Sequence, residues 1–447
     1  MAPLPLNALL DQVEESLKSD LIPVCIFNDE QIFRAEIERI FTRNWVFVAH
    51  ESEIPCKGDF VLRRIGLESV IVSRDTDGNI NVMSNHCRHR GTEVCQADRG
   101  NAAHFTCPYH GWTYRNNGDW AGAPHLKEAY GGKLDNKQWG LLHAPHVDSH
   151  QGLIFASLDR DAPPLKQYLG NAAWMLDAMI GLHPAGMRVA GAPERYRVRA
   201  NWKTAAENFT GDVYHVDYLH RSNEQVQTAV GLQGSCEFGR SYEMGNGHNF
   251  VGHEWVKAIH PGYVFAGYPQ SYIEQFELSG LDEAQLLMMR DKPPTVGTIF
   301  PNLSFIRVAS FTKIDEPPAV MTSFRQWQPI GPAELEVWNW QLVWNFMSEA
   351  DAEAVYKIGQ FNFGSAGVFE QDDTVAWESI AKVGASQWWR REGKHFNFQQ
   401  GHRSAVDQSP DPHWTGPGIH RTTGYGEHRQ LAFYRHWLKV MRENGKR

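Results

Sequence analysis

The sequence predicts an α+β protein with two domains, of which the first is rich in β-strands and the second combines an antiparallel sheet with helices. The length of 447 residues exceeds what one hydrophobic core usually serves. Short alternating runs separated by turn residues fill the region 60–158. Longer β runs and helical periodicity come after Pro163-Pro164, where we predict the domain boundary.

Alternation of apolar and polar residues predicts seven strands in the first domain, at 60–65, 69–73, 80–84, 104–106, 111–114, 140–142 and 152–158. The fourth and fifth of these strands should pair on either side of the segment 107–110. Asp77-Gly78 joins the second and third of these strands and is a strong hairpin signal. In the second domain a helix is predicted near 165–180, and the glycine-rich segment 231–267 is predicted to form long loops. Three β runs should then form an antiparallel meander, followed by two helices: strands 295–312, 319–329 and 334–347, helices 349–361 and 372–383.

Two loops of the first domain carry metal-ligand side chains. They read Cys87-x-His89 and Cys107-x-x-His110, with seventeen residues between them. Two thiolates and two imidazoles suit a Rieske [2Fe–2S] centre, in which two Cys bind one iron and two His the other. A tetrahedral zinc site has the same ligand count. A zinc knuckle normally pairs Cys with Cys and His with His, whereas each loop here supplies one of each, which favours the Rieske centre.

A second constellation lies in the second domain, where His215 and His220 are separated by four residues. Five steps along a regular helix place two side chains about 140° apart, so we expect the helix to end or distort between them. A carboxylate would complete the two-His-one-carboxylate triad of non-haem Fe(II) oxygenases. His248 and His253 have the same spacing, but they lie between glycines in a predicted loop without a nearby acid, and we do not expect them to bind metal.

The composition restricts partners and location. A formal net charge of −9 disfavours nucleic acid and anionic membranes as partners. No run approaches eighteen apolar residues, and the first twenty residues lack the basic and apolar regions of a signal peptide. Four further cysteines show no disulfide framework, and free thiols beside an iron–sulfur centre indicate a reducing compartment. We therefore expect a cytoplasmic protein.

Both ligand loops resemble those of the large (α) subunits of Rieske non-haem iron aromatic ring-hydroxylating dioxygenases, the naphthalene and biphenyl dioxygenase group. The resemblance covers nearly all of the chain. It implies a small all-β Rieske [2Fe–2S] domain at 44–163. This domain would be inserted in an α+β catalytic domain, 1–43 and 164–447, whose antiparallel sheet is surrounded by helices.

The resemblance also implies roles for individual residues. The segment 363–373 is similar to the one that supplies the iron-binding acid, and the second acid of its pair, Asp373, would be the ligand rather than Asp372. Asp212 lies one helical turn before His215, within hydrogen-bonding reach. In the family the corresponding acid connects the iron histidine with a Rieske histidine, here His110, across a subunit boundary. Further matches place Asn208 near the iron and the following residues in the substrate pocket: Phe209, Val213, Val216, Phe363 and Phe369.

The implied activity is that of a terminal oxygenase. Electrons from a ferredoxin or an NAD(P)H-dependent reductase would pass through the cluster to mononuclear Fe(II), and O2 would be used to cis-dihydroxylate a mono- or polycyclic arene. A separate electron donor is expected because the chain has no convincing dinucleotide-binding glycine loop and no flavin signature. A small β subunit, in an α3β3 assembly, is a further implied partner.

Two alternatives stay open. A Rieske monooxygenase such as a demethylase would share both metal sites, and a zinc-stabilised binding module would need only the first. The aromatic substrate is not determined by the sequence. Arg307 would bind a carboxylated substrate if it faced inward, whereas a strand arginine is more often directed to solvent.

Overall fold

A computed structural model describes residues 4–226, 228, 229, 232, 234–253, 263–312 and 318–446. The chain divides into two compact units, one formed by Phe41–Leu165 and the other by Met1–Ile40 together with Lys166–Arg447. Short antiparallel strands dominate the first unit, and a large antiparallel sheet with helices forms the second. The predicted α+β class is confirmed. No helix in the described ranges is long and apolar enough to cross a lipid bilayer.

Three antiparallel sheets build the unit Phe41–Leu165. In pairing order, the first contains Ile80–Ser84, Glu68–Arg74, Asp59–Ile65 and Arg99–Asn101. The second contains His104–Thr106, Thr113–Arg115 and Trp120–Gly122. The third contains His146–His150, Leu153–Ser157 and Val46–His50. One short α-helix, Leu126–Tyr130, and one 3₁₀-helix, Glu51–Glu53, complete the unit. The two chain ends of the unit are held together where Trp45 Nε1 donates to Pro163 O at 2.7 Å.

The strand predicted at residues 140–142 is wrong. These residues are hydrogen-bonded to two different neighbours, because Leu141 N donates to Gly118 O while Leu142 O accepts from Ser84 N. A single ladder therefore does not form. The predicted hairpin is present: Ile80–Ser84 pairs antiparallel with Glu68–Arg74, and Gly78 between them has a φ of 95°, a conformation that suits glycine.

Within the described residues, nine strands form the sheet of the larger unit. In chain order they are β1 Met187–Val189, β2 Glu194–Val198, β3 Gly239–Gly245, β4 His248–His253, β5 Pro294–Ile299, β6 Leu303–Ser310, β7 Ala319–Gly331, β8 Glu334–Trp344 and β9 Ile419–Arg421. Their order in the sheet is β1-β8-β7-β6-β5-β4-β3-β9. Strand β8 pairs with β1 near its C-terminal end and with β2 near its N-terminal end, on the same edge. The predicted meander is confirmed, but the run 295–312 forms two strands, β5 and β6, rather than one.

The loops predicted for residues 231–267 are wrong in the described part, because β3 and β4 lie inside the sheet. Residues 231, 233 and 254–262 of this range lie outside the described residues. The glycines here serve close packing: a Cβ on Gly252 would lie 2.4 Å from Lys292 O, and one on Gly297 of the neighbouring strand 2.4 Å from Phe250 Cδ1. Glycine content therefore indicated crowding in this segment rather than irregular structure.

Helices flank this sheet; Glu349–Phe363 packs against β7 and β8, and His428–Glu443 packs against β3 and β4. The helix predicted near 165–180 is divided at Gly170 into Leu165–Leu169 and Asn171–Ile180. In the described ranges the remaining α-helices are Leu6–Leu17, Glu30–Glu36, Trp202–Asn208, Val216–Leu219, Arg221–Gln225, Ser235–Phe238, Gln270–Ile273, Glu283–Asp291, Glu370–Ala385 and Gln387–Arg391. Two short strand pairs, Leu21–Pro23 with His395–Asn397 and Tyr263–Phe265 with Tyr268–Pro269, lie outside the sheet.

Within the larger unit, a fully buried ion pair attaches the N-terminal segment, residues 4–40, to the part that begins at Lys166. Lys203 Nζ lies 2.6 Å from Glu36 Oε1, and both side chains are 0% exposed. Glu36 also accepts hydrogen bonds from the indole nitrogens of Trp202 and Trp437, each at 2.9 Å. Burial lowers the pKa of Lys203, and Glu36 opposes this shift. The carboxylate thus joins three elements that are far apart in the chain.

We predict that Lys203→Met destabilises the protein by about 3–5 kcal/mol, because it leaves the Glu36 carboxylate buried without its counter-charge. The double variant Glu36→Gln/Lys203→Met should recover most of that loss. Equilibrium denaturation followed by tryptophan fluorescence measures both. If the single and double variants lost the same free energy of unfolding, the unpaired charge of Glu36 would not be the cause of the destabilisation.

Candidate metal centres and substrate cavity

The two loops predicted to bind the cluster have the same backbone arrangement. Cys87 N donates to Thr92 O at 2.9 Å, and Cys107 N donates to Trp112 O at 2.8 Å. The amide four residues after each Cys turns back to its carbonyl, and Gly91 and Gly111 at these positions have φ of 78° and 69°. Residues other than glycine rarely adopt such positive φ values. The second loop lies between paired strands, as predicted, whereas the first is closed only by the bridge between His86 and Glu93.

The four candidate cluster ligands fit a Rieske centre. Cys87 and Cys107 are buried in the core of the unit, whereas His89 is half-buried and His110 exposed. The two imidazole rings lie side by side, with centroids 4.6 Å apart. Nδ1 of His89 is buried and has no hydrogen-bond partner in the described part of the chain. Buried polar atoms normally have a partner, so this nitrogen is available to bind a metal. The two buried thiols could thus bind one iron of a Rieske centre, and the two more exposed imidazoles could bind the other.

The second constellation brings His215 and His220 together around a distortion in the chain. A helix of four residues, Val216–Leu219, separates them, and His220 itself leaves helical geometry at φ −93° and ψ 6°. As a result the ring centroids are 5.0 Å apart. The predicted interruption of the helix is therefore present.

Asp373 meets both histidines from the helix Glu370–Ala385. Its Oδ1 lies 3.5 Å from His215 Nε2 and 3.4 Å from His220 Nε2, and one ligand atom from each of the three residues lies within 4.8 Å of the others. This oxygen is buried and has no hydrogen-bond partner in the described ranges. Two imidazoles and one carboxylate that converge in this way suit a divalent transition metal such as Fe(II).

Each histidine has a second acid behind its other nitrogen. Asp212 Oδ2 lies 3.4 Å from His215 Nδ1, and Asp372 Oδ2 lies 3.2 Å from His220 Nδ1. Carboxylates in this position fix the orientation and tautomer of a metal-binding imidazole. The sequence did not reveal that Asp372 supports His220. Neighbouring residues of a helix point about 100° apart, so Asp372 cannot bind the same ion as Asp373, but it can still reach Nδ1 of the His220 ring.

The loop that carries Asp212 is held from the C-terminal helix His428–Glu443. Arg429 Nη2 donates to Gly211 O at 2.7 Å, and Gly211 has a φ of 119°. A Cβ at Gly211 would lie 2.8 Å from Arg429 Nε. The residue before Asp212 must therefore be glycine in this packing.

Electrostatics at this centre favour a protonated His215 in the absence of metal. Burial lowers the pKa of His215, but Asp212 and then Asp373 outweigh it and raise the pKa to about 9. A metal would displace this proton, because an imidazole binds metal only in its neutral form.

A cavity of about 130 Å³ adjoins the three residues. Asn208 and all five residues predicted for the substrate pocket line it: Phe209, Val213, Val216, Phe363 and Phe369. The sequence did not indicate the opposite wall, which comes from the sheet and neighbouring segments: Ala229, Leu232, Ser235, Val251, His253, Thr295, Val296, Ile306, Val308, Ala309, Ser310 and Phe311. The pairing of strands β4, β5 and β6 brings most of these residues together, and the sequence does not reveal that pairing.

The other histidines and the arginine considered from the sequence have structural partners. His248 and His253 lie on β4 rather than in a loop; His248 accepts from Phe300 N at 3.0 Å, and His253 Nδ1 lies 2.7 Å from Thr295 Oγ1. Arg307 faces neither solvent nor the cavity. It is 2% exposed and donates to Met179 O and Pro294 O.

Comparisons with known proteins agree with this geometry. Residues 44–142 match the family model of the Rieske [2Fe-2S] domain, and residues 187–443 match that of the ring hydroxylating alpha subunit (catalytic domain). The N,N-dimethyl phenylurea N-demethylase subunit alpha of Sphingobium sp. (strain YBL2) is 46% identical, over 98% of this chain and 95% of that protein.

Dioxygenase components are also similar. The large oxygenase component of the naphthalene 1,2-dioxygenase system of Pseudomonas aeruginosa is 34% identical over 92% of this chain and 89% of its own length. The crystal structure of naphthalene 1,2-dioxygenase from Rhodococcus sp. bound to indole superimposes with a TM-score of 0.90, at 38% identity and 99% coverage of both chains. The predicted family is confirmed: the chain belongs to the ring-hydroxylating oxygenase α subunits, which hold a Rieske [2Fe–2S] cluster and a mononuclear iron.

Proposed function

We propose that this chain is a terminal oxygenase subunit that uses O2 and externally supplied electrons to oxygenate an uncharged aromatic compound, with cis-dihydroxylation of a mono- or polycyclic ring as the first candidate reaction. The lining of the cavity beside His215, His220 and Asp373 carries this proposal. Its walls are mainly aliphatic and aromatic, and its carboxylates, Asp212 and Asp373, adjoin the metal site. Among the described lining residues there is no Lys or Arg that would neutralise an anionic substrate.

The proposed roles of the residues follow from their positions. Residues 44–163 would form the Rieske domain, in which Cys87, His89, Cys107 and His110 hold the cluster, and 1–43 with 164–447 the catalytic domain. His215, His220 and Asp373 would hold Fe(II). When bound, the cluster supplies single electrons and the iron supplies O2 chemistry.

Around that iron, Asp212 and Asp372 would orient the two imidazoles, and Asn208 would present its amide beside them. The apolar residues Phe209, Val213, Val216, Phe363 and Phe369 would hold the ring and exclude water from it.

N-demethylation is a second candidate, favoured by the 46% identity to the N,N-dimethyl phenylurea N-demethylase subunit alpha. A neutral phenylurea suits the same uncharged cavity. Oxidation of one N-methyl group of such a urea by O2 with two electrons and two protons gives the N-monomethyl urea, formaldehyde and water. Cis-dihydroxylation takes up the same electrons and protons but leaves both oxygen atoms on the ring.

Partner proteins are part of the proposal. The names of the relatives, a "subunit alpha" and a "large oxygenase component", support a smaller β subunit and separate electron carriers. We propose an α3β3 assembly that receives electrons from a ferredoxin or a reductase.

A single-turnover assay with the dithionite-reduced protein and O2 tests the substrate class. We predict product from naphthalene, biphenyl or N,N-dimethyl phenylurea and none from benzoate, because a carboxylate would enter the cavity without a counter-charge. Mass spectrometry detects the diol, and a formaldehyde assay detects demethylation. The proposal would be contradicted if benzoate were converted and none of the three neutral compounds were.

Iron binding tests the metal site. Asp373→Ala and His215→Ala should lose the mononuclear iron while the visible spectrum of the cluster persists. Asp372→Asn should lower iron affinity by about 10–100-fold, because it weakens the support of His220. Glu378→Gln on the same helix is the matched control and should retain iron. Full iron retention in Asp372→Asn would limit Asp372 to a surface acid.

Asp212→Asn tests how electrons reach His215. The amide keeps the shape of the side chain but loses the charge-assisted hydrogen bond. We predict that both metal sites still assemble and that the cluster still accepts an electron. Its reoxidation in the presence of substrate and O2 should fail, since we propose that Asp212 connects His215 with His110 of a neighbouring subunit. Stopped-flow spectroscopy measures this step, and a native reoxidation rate would refute the connection.

A further inference from the structure

A buried positive charge lies behind two aromatic walls of the cavity. Arg325, on β7, is 0% exposed. Its Cζ lies over the rings of Phe209 and Phe363, at 5.2 and 6.0 Å from their centroids, and over Trp327 at 4.8 Å. Phe209 and Phe363 line the cavity, whereas Arg325 does not. The guanidinium therefore contacts two cavity walls from behind, by cation–π contact with these rings.

The same guanidinium is connected to the helix that carries Asp373. Arg325 Nη2 lies 2.6 Å from Glu370 Oε2 and donates to the hydroxyl of Tyr196 at 2.9 Å. Tyr196 in turn donates to Glu370 Oε1 at 2.5 Å. Glu370 is the first residue of the helix Glu370–Ala385 and precedes Asp373 by one turn. The Arg325–Glu370–Tyr196 network thus joins two cavity walls to the candidate metal ligand.

Stability is a poor explanation for this network. A buried ion pair loses about as much in desolvation as it gains in attraction, and apolar residues of similar volume often serve as well. Arg325 is also incompletely satisfied: its Nε and Nη1 have no hydrogen-bond partner in the described part of the chain. What the network supplies instead is geometry, because a planar guanidinium fixes several neighbours at once.

We propose that the Arg325–Glu370–Tyr196 network is a positioning device that sets Phe209 and Phe363 relative to Asp373 and so determines which substrate atom is oxygenated. The three are positioning residues, since they act through the rings and through the helix. This inference rests on the proposed oxygenase function and adds the determinant of its regiochemistry.

The test compares two double variants that each remove a fully buried ion pair from the same unit. Arg325→Met/Glu370→Gln removes the network, and Glu36→Gln/Lys203→Met is the matched control, because Glu36 and Lys203 do not line the cavity. Each variant is assayed as the metal-loaded protein. The measurements are thermal unfolding, iron content, the ratio of product isomers from a neutral arene that the native protein converts, and hydrogen peroxide per electron consumed.

Both double variants should unfold at similar temperatures, close to that of the native protein, because neither leaves an unpaired buried charge. Only the first should change the product ratio. Its yield of product per electron should fall about tenfold or more, because a displacement of about 1 Å between substrate and reacting groups can cost about 100-fold in rate. Tyr196→Phe removes one hydroxyl and keeps the ring, so it should fold and shift the ratio in the same direction by less.

An unchanged product ratio and native coupling in both network variants would overturn the inference, and so would an equal change in the control. Failure of the proposed function is distinguishable, because then the native protein converts no arene at all. In that case calorimetric binding of naphthalene to the iron-loaded protein without O2 decides. The network variant should bind about tenfold more weakly than the control, and equal affinities would refute the positioning role.

Discussion

A buried carboxylate oxygen is the constraint on which the larger unit depends. Asp373 Oδ1 is approached by one nitrogen from each of two imidazoles and has no hydrogen-bond partner in the described residues. An ionised oxygen in such surroundings is costly unless a cation or a proton compensates it. A divalent metal bound by the three side chains would compensate it, and such binding requires the three to be held in a fixed geometry. Much of the surrounding structure supplies that rigidity.

The support comes from elements that are distant in the chain. Asp212 and Asp372 hold the outer nitrogens of the histidines, and Arg429 of the C-terminal helix fixes the loop that carries Asp212. Asn223 Nδ2 in turn donates to Asp372 at 3.2 Å. Because these contacts are charged or charge-assisted, each is stronger and more directional than a neutral hydrogen bond. The site is therefore enclosed by a second layer of fixed side chains.

The two candidate metal centres are built in different ways. The candidate cluster ligands come from two short loops in which backbone hydrogen bonds and one glycine per loop impose the shape. The candidate iron ligands combine a distorted helical segment at 215–220 with an acid more than 150 residues later. The first design is local, and the second exists only when the sheet and its helices have assembled. Helix distortion beside the second site agrees with the tendency of irregular helices to occur at functional positions.

The sequence by itself determined the features that depend on local geometry. These are the Cys and His residues of the cluster loops, the hairpin at Asp77-Gly78, the strand meander and the need for a break between His215 and His220. These features depend on the spacing of residues that are close together in the chain, so they can be predicted from the sequence alone.

Tertiary structure decided what depends on long-range packing. It placed Asp372 behind His220, brought His253 and the sheet residues to the cavity, buried Arg307 and Arg325, and made strands of the glycine-rich segment around Gly252. The physical reason is that a side chain's partners, and the space open to it, come from segments whose approach is set by the whole core. Sequence periodicity gives the face of an element on which a residue lies, but not what that face meets.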